Sequence, residues 1–278
     1  MDRLSAKRWL ITGVSSGLGR ALAEAALGRG DTVVGTARTF ASATAFVAIN
    51  PGRSHGLVLD LTAIEAIPAM VAEGVHRLGG RIDIVVNNAG YALTGAIEEI
   101  STAETQAIMA TNLLAPLAVC RAALPLMRAG GGGRIINISS MAALESYRGL
   151  GLYCASKAAL SALTEALAIE AKPFGIHATA VEAAGMRTDF AGRSRREAAD
   201  RIDAYAAMRS EIAAAFRASD GSQANGPEQS ARALLALADM TDPPVHMALG
   251  LGALDRIERI FSSRRVEYAR FADIGAHA

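Results

Sequence analysis

Several features that would assign a chain to a broad class are scarce or missing in this one. Only two cysteines, Cys120 and Cys154, occur in 278 residues, too few for a disulfide framework and without the spacing of a metal site. Basic residues outnumber acidic ones 28 to 27, so charge suggests no polyanionic partner. We interpret the short basic cluster Arg193, Arg195 and Arg196 as a solvated helix entrance. We therefore expect no metal and no nucleic-acid partner.

Long apolar runs are also missing. No run of eighteen apolar residues occurs, and the nearest, 113–127, is interrupted by Arg121 and two prolines. The first apolar run, 9–11, passes directly into a glycine-rich segment, so we expect no signal peptide. With 51% hydrophobic residues, the chain can bury one large core. We expect a reduced, cytoplasmic, single-domain protein over 1–278 that is not bound to a membrane.

Apolar runs typical of strands alternate with helix-like stretches. The strand-like runs are 9–11, 32–36, 56–59, 82–86, 134–138 and 176–181, and the helix-like stretches lie near 20–27, 41–48, 63–78, 101–128 and 152–171. This alternation predicts an α/β fold, a doubly wound parallel sheet with helices on both faces and ligands at the carboxyl edge. We interpret 189–227 as a substrate lid with a helix over 195–216. Residues 243–278 are interpreted as an extension with a strand at 245–249 and then a helix.

A glycine-rich turn follows the first predicted strand. In Thr12-Gly13-Val14-Ser15-Ser16-Gly17-Leu18-Gly19, Gly13 permits a tight turn, Gly17 lets a pyrophosphate approach the backbone, and Gly19 lets helix and sheet pack closely. Strand, turn and helix in this order direct backbone N–H groups and a helix N-terminus at a phosphate. The glycine spacing departs from G-x-G-x-x-G. The turn still predicts a Rossmann-type dinucleotide site.

Tyr153 and Lys157 are four residues apart, so on a helix they lie on the same face. A phenol has a pKa of about 10, and a neighbouring ammonium favours the phenolate and lowers that pKa toward the working range. Ser140, thirteen residues earlier, could hold a carbonyl or alcohol oxygen. Taken alone, the pair could equally be a solvated surface pair. The neighbouring motifs favour a proton-transfer site.

Five motifs occur in order: the glycine turn, Asn87-Asn88-Ala89-Gly90, the asparagine of Ala-Thr-Asn-Leu, Ser140, and Tyr153 with Lys157. Together they resemble the short-chain dehydrogenase/reductase family. The resemblance implies a catalytic tetrad of Asn112, Ser140, Tyr153 and Lys157, in which Asn112 fixes a water that links Lys157 to solvent. Read alone, Asn112 would be a structural cap. The implied cofactor-binding residues are Gly13, Ser15, Ser16, Gly17, Leu18, Gly19, Arg38, Asp60, Leu61, Asn88, Ala89, Gly90, Tyr153, Lys157 and Thr188.

The end of the second strand discriminates between cofactors. Enzymes that use NAD typically place an acidic residue there for the ribose 2′-hydroxyl, whereas this chain has Arg38, which can pair with a 2′-phosphate. We therefore expect NADP rather than NAD. Arg38 could instead only cap the strand. Asp60 matches the family position that binds adenine, the alternative being a turn aspartate bonded to its own backbone.

The predicted activity is hydride transfer between NADP(H) and a small carbonyl compound or secondary alcohol, with Tyr153 as general acid and base. The alternative is a regulator that binds NADP(H) without turnover; retention of the whole tetrad favours catalysis. A third possibility, an isomerase or epimerase, is more typical of longer family members. The resemblance also implies a homodimer or homotetramer built on the helices of Asn112 and Tyr153.

One segment departs from the family pattern. Ala183 and Ala184 stand where many members have Pro-Gly, and we expect Gly185 to adopt the special backbone conformation instead. Thr188 matches the position that contacts the nicotinamide carboxamide. The expected pocket wall consists of Leu144, Glu145, Tyr147, Met186 and Phe190.

Overall fold

A computed structural model describes residues 6–188, 190, 192 and 194–276 of the chain. Within these residues the strands are β1 Arg8–Ile11, β2 Thr32–Ala37, β3 Ser54–Val58, β4 Ile84–Asn87, β5 Ala92–Thr94, β6 Gly133–Ile138, β7 Ile176–Ala183, β8 Arg195–Glu197 and β9 His246–Leu249. The helices are α1 Gly17–Gly28, α2 Phe40–Val47, α3 Ile67–Arg77, α4 Thr102–Met109, α5 Ala115–Ala129, α6 Gly151–Ala171, α7 Ala206–Ser219, α8 Pro227–Asp239, α9 Ala253–Arg270 and α10 Ala272–Ala276.

Seven strands form one parallel sheet in the order β3-β2-β1-β4-β6-β7-β9. The order reverses between β1 and β4, and this switch point opens a crevice at the carboxyl ends of the strands. Apolar side chains of α3, α5 and α6 cover one face of the sheet. Those of α1 and α8, with Phe46 of α2, cover the other. The predicted fold class, a single-domain doubly wound sheet, is confirmed.

Helices α4 and α5 are joined by a π-helical turn, Ala110–Leu114, which contains Asn112. Turns of this kind are rare and occur frequently at functional sites. The continuous helix Thr102–Ala129 and the segment Gly151–Phe174 are long and apolar enough to cross a membrane by length and composition. In this fold α5 and α6 instead contribute buried side chains to the core against the sheet.

The segment after β7 differs from the sequence-based expectation. Residues 195–197 form strand β8, paired in parallel with β5, and not the start of a helix. Helix α7 begins only at Ala206, and α8, which the sequence did not suggest, packs on α1. Arg195 and Arg196 therefore lie on a strand and not at a helix entrance, while Arg193 lies outside the described residues.

The segment without Pro-Gly is held by the neighbouring strand. Strand β7 continues through Ala183, and the amide of Ala184 donates to the carbonyl of Leu249 at 2.9 Å. Gly185 is not among the glycines with positive φ, so the expectation that it takes over a special conformation is wrong. At Ala183 and Ala184 the backbone is paired with the edge strand β9.

Candidate active site

A cleft of about 710 Å³ lies at the carboxyl edge of the sheet, within the usual range for small-molecule and cofactor sites. Most of the predicted site residues line it. They are Gly13, Ser15, Ser16, Gly17, Leu18, Arg38, Asp60, Leu61, Asn88, Ala89, Gly90, Ser140, Tyr153, Lys157 and Thr188. The other two, Gly19 and Asn112, are buried behind the wall.

The glycine turn has the backbone that its sequence predicted. Gly13 and Gly17 have φ values of +75° and +61°, in a region that side chains with a Cβ rarely adopt. A Cβ on Gly13 would lie 2.9 Å from that of Ala89, and a Cβ on Gly17 would lie 3.3 Å from Thr188 Cβ. Because α1 begins at Gly17, its N-terminus faces the cleft. This bare cradle fits the pyrophosphate of a dinucleotide.

The turn is fastened to the end of β4. The Asn88 amide nitrogen Nδ2 donates to the carbonyls of Thr12 and Gly13 at 2.9 and 3.1 Å. The hydroxyl of Thr12 accepts from the amides of Asn88 and Ala89 at 3.0 and 3.1 Å. A Cβ on Gly19 would overlap the Asn88 side chain. The side chain of Asn88 thus holds the phosphate turn in place.

Tyr153 lies on α6 with 7% of its surface exposed, in an apolar cluster that includes Ala142, Cys154 and Phe190. Its ring centroid is 5.6 Å from that of Phe190. Burial raises the pKa of Tyr153 to about 12, and a hydrogen bond with Ser140 opposes part of this rise. The expectation of a lowered pKa is wrong for this structure, because desolvation of the phenolate outweighs the favourable contacts.

Lys157 is 4% exposed, one turn along α6 from Tyr153. Its ammonium Nζ donates to the Ile138 carbonyl at 2.8 Å and lies 6.0 Å from the centroid of the Tyr153 ring. Burial lowers the pKa of Lys157 to about 8. The lysine is therefore bonded to the end of β6, and with this pKa it remains mostly protonated at neutral pH.

The two serines after β6 have different surroundings. Ser139 is 3% exposed, donates to the Lys157 carbonyl at 3.2 Å and shares a 2.8 Å hydrogen bond with Ser161. The Ser140 hydroxyl accepts from the Ala142 amide at 3.1 Å and faces the cleft beside Tyr153. This geometry favours Ser140 over Ser139 as the residue that binds a substrate oxygen.

Asn112 connects the Asn-Asn-Ala-Gly segment with α6. Its Nδ2 donates to the Tyr91 carbonyl at 3.0 Å and the Ser156 hydroxyl at 3.1 Å, and its Oδ1 accepts from the Tyr91 amide at 3.1 Å. A Cβ on Gly90 would lie 3.1 Å from Asn112 Oδ1 and 3.4 Å from Lys157 Nζ. The side chain thus bridges two elements and does not cap a helix end, while a water relay through Asn112 stays a prediction.

The ends of β2 and β3 supply opposite charges at the rim. Arg38 and Asp60 are both exposed and line the cleft. Asp60 Oδ1 accepts from the amide and hydroxyl of Thr62, each at 2.9 Å, which is the turn alternative for this residue. These bonds, with smaller effects of Arg38 and Arg196, lower the pKa of Asp60. The adenine role of Asp60 stays a prediction.

Asn225 holds the segment that leads to Thr188. Its Nδ2 donates to the Gly185 carbonyl at 3.0 Å and its Oδ1 accepts from the Leu251 amide at 2.7 Å. The Arg187 amide donates to the Asn225 carbonyl at 2.9 Å. Sequence reasoning missed Asn225, because its partners are remote in the chain.

The rest of the cleft wall agrees only in part with the sequence. Met186 and Phe190 line the cleft as expected. Leu144 and Glu145 instead line a second cavity, of about 510 Å³, against α9, and Tyr147 packs in the Tyr153 cluster. Lining residues that the sequence did not suggest include Ala107, Thr111, Ser194, Arg196, Phe216, Ser219 and Gln223. Five of these, Ser194, Arg196, Phe216, Ser219 and Gln223, belong to the predicted lid region, which was the only indication in the sequence that they would line the cleft.

No group of histidine, cysteine, aspartate and glutamate with the arrangement of a metal site occurs in the described part of the chain.

Comparisons with known proteins agree with this geometry. A family model described as short chain dehydrogenase matches residues 7–199. Oxidoreductase BOA17 of Botryotinia fuckeliana is 36% identical over 250 residues, 90% of each chain. A short-chain dehydrogenase structure from Streptomyces avermitilis has 37% identity and a TM-score of 0.88, covering 98% of each chain. The structure of ElxO with NADP bound has 25% identity and a TM-score of 0.74, covering 90% of this chain and 99% of that one. The chain belongs to the short-chain dehydrogenase family.

Proposed function

We propose that this protein is an NADP(H)-dependent oxidoreductase that interconverts a small carbonyl compound and its secondary alcohol. The observation that carries the proposal is the shared cleft, in which Ser140, Tyr153 and Lys157 face the same space as the phosphate cradle. A nicotinamide cofactor bound there supplies or accepts the hydride. The protein supplies position, a proton and a hydrogen-bonded oxygen site.

The protonation states support carbonyl reduction. With a pKa of about 12, the Tyr153 phenol is protonated at neutral pH and can donate its proton to the developing alkoxide, which is a stronger base. The Ser140 hydroxyl, beside it, would hold the same oxygen in position. The Lys157 ammonium, 2.8 Å from the Ile138 carbonyl, would stabilise the phenolate that proton transfer leaves behind. In oxidation the same groups act in reverse.

The first experiment is NADPH and NADH binding to the purified protein, followed by oxidation of each against a panel of ketones and aldehydes. We expect NADPH binding with turnover on at least one panel member. Tyr153→Phe should retain NADPH binding and lose turnover, because only the proton donor is removed. A variant that still turns over would exclude Tyr153 as the acid. Binding by the wild type without turnover across a broad panel would favour the regulator instead.

NADP preference is proposed from Arg38, the cation at the end of β2. Arg38→Asp replaces a partner for a 2′-phosphate with a charge that repels it. The ratio of kcat/KM for NADPH to that for NADH should fall by about tenfold or more. The control is Arg53→Asp, which changes the charge by the same amount at an exposed residue that does not line the cleft. An unchanged ratio would show that Arg38 does not read the phosphate.

We also propose a homodimer or homotetramer in a reducing, cytoplasmic compartment. The helices of Asn112 and Tyr153 expose apolar side chains, among them Leu126 and Ile169, the latter 76% exposed, and such patches mark subunit contacts. Both cysteines are free and buried, and burial raises the pKa of each thiol. Sedimentation at several protein concentrations tests the oligomer.

A further inference from the structure

A second arginine stands at the rim of the cleft, on an element that no motif marked. Arg196 lies on β8 opposite Leu93 of β5 and lines the cleft that Arg38 and Asp60 also line. Its guanidinium carbon is 4.8 Å from the centroid of the Tyr91 ring. Tyr91 follows Gly90 directly, so the stacked guanidinium lies beside the segment expected to bind the adenosine side.

The backbone around Arg196 is fixed to the body of the protein. The Ala92 amide donates to the Ser194 carbonyl at 3.0 Å, and the Ala198 amide to the Thr94 carbonyl at 2.8 Å. The Thr94 hydroxyl donates to the Arg196 carbonyl at 3.2 Å. A flexible loop would have to be ordered before it could bind, whereas this strand already presents its side chain at the cleft.

Alternation along the strand separates Arg196 from its neighbour. Arg195 pairs with Glu197 at 3.0 Å and stacks 5.0 Å from the centroid of the Phe216 ring. Arg196 points to the other face, toward Tyr91, and acts electrostatically on Asp60 together with Arg38. Two guanidinium groups, one on the sheet and one on the lid, therefore lie at the same rim of the cleft.

We propose that Arg196 binds a phosphate of the dinucleotide, so that β8 and the end of β2 each contribute a guanidinium group to the cofactor from the same rim of the cleft. Two cations on separate elements suit a ligand that carries several phosphate charges, and guanidinium groups bind phosphate in a bidentate manner. This inference rests on the proposed function, since it requires a dinucleotide in the cleft. It adds a residue of the predicted lid to a site whose sequence-predicted residues all precede position 189.

The test is direct binding without turnover. Wild type, Arg196→Ala and Arg201→Ala are titrated with NADPH and with NADH by calorimetry or nucleotide fluorescence, at low and at high salt. Arg201 is a matched control: it is exposed, follows β8, pairs with Glu197 at 2.9 Å and lies outside the cleft lining. Both variants remove one positive charge, so long-range attraction changes equally.

We expect Arg196→Ala to raise the Kd for NADPH about tenfold, as for the loss of a charged hydrogen bond, and Arg201→Ala to change it less than about twofold. High salt should reduce the difference. If Arg196→Ala weakens the binding of NADPH alone, the contact of Arg196 is with the 2′-phosphate. If it weakens the binding of NADPH and NADH equally, the contact is with the diphosphate that both nucleotides share. If wild type binds NADPH and Arg196→Ala binds it as tightly as Arg201→Ala does, the inference is wrong. If wild type binds neither nucleotide, the proposed function itself fails.

Discussion

Replacing Lys157 by methionine should make the free energy of unfolding of the protein less dependent on pH. Burial lowers the pKa of Lys157 from its usual 10.5 to about 8, which corresponds to a destabilisation of the folded state by about 3 kcal/mol when the lysine is charged. The folded pKa is below the unfolded one, so between pH 8 and 10.5 the unfolded chain binds the extra proton. The free energy of unfolding of the wild type therefore rises with pH through this window. Below the window it is lowered by the full cost of burying the charged lysine.

Methionine has similar length and no charge, so it removes that penalty and also the 2.8 Å bond to Ile138, a loss of about 1–3 kcal/mol. At about pH 7 the two effects nearly cancel or leave the variant slightly more stable. The free energy of unfolding of the variant relative to wild type should then fall by about 2 kcal/mol between about pH 7 and about pH 9.5. Tyr153, with a pKa of about 12, remains protonated when folded throughout this range.

The measurement is urea unfolding of wild type, Lys157→Met and Lys172→Met at several pH values. Lys172 is exposed at the end of α6, so the same substitution removes no buried charge there. The difference in free energy of unfolding between Lys172→Met and wild type should therefore stay constant with pH. A constant difference for Lys157→Met would refute the reasoning, because it would mean that the buried ammonium keeps an ordinary pKa.

Two further substitutions test the supports of the cleft. Gly19→Ala should lower the free energy of unfolding by about 2 kcal/mol and weaken NADPH binding, because the new Cβ overlaps Asn88. The control is Gly28→Ala, which should be neutral or stabilising because a Cβ there meets nothing within 4 Å. Equal effects of the two substitutions would contradict the close-packing argument. Asn225→Ala should raise the KM for NADPH and lower the free energy of unfolding by about 1–3 kcal/mol, because the Gly185 carbonyl and the Leu251 amide each lose their hydrogen bond to this side chain. An unchanged KM for NADPH would show that Asn225 does not position the segment.

The sheet was predictable because its signals are local. Each buried strand reads as a short apolar run, and parallel strands with helical crossovers have few possible topologies. The phosphate turn was equally readable: Gly13 and Gly17 have the positive φ that only glycine adopts easily. Helix periodicity alone places Tyr153 and Lys157, four residues apart, on one face of their helix.

The lid was not predictable in the same way. Residues 195–197 are strand because they pair with 92–94, about a hundred residues earlier, and nothing in Arg-Arg-Glu favours a strand by itself. The same holds for Gly185 and its partner Asn225, forty residues apart. Long-range hydrogen bonds decide such conformations, so a local pattern cannot contain them.

The sequence by itself determined the doubly wound sheet, the glycine cradle and the Tyr153–Lys157 pair, because strand and helix periodicity and glycine dihedrals are properties of neighbouring residues. Only the tertiary structure decided the environment of these groups. It set the pKa of Tyr153 near 12 and that of Lys157 near 8, and it brought Arg196 to the cleft. Desolvation and strand pairing depend on residues far apart in the chain, and folding alone brings those residues together.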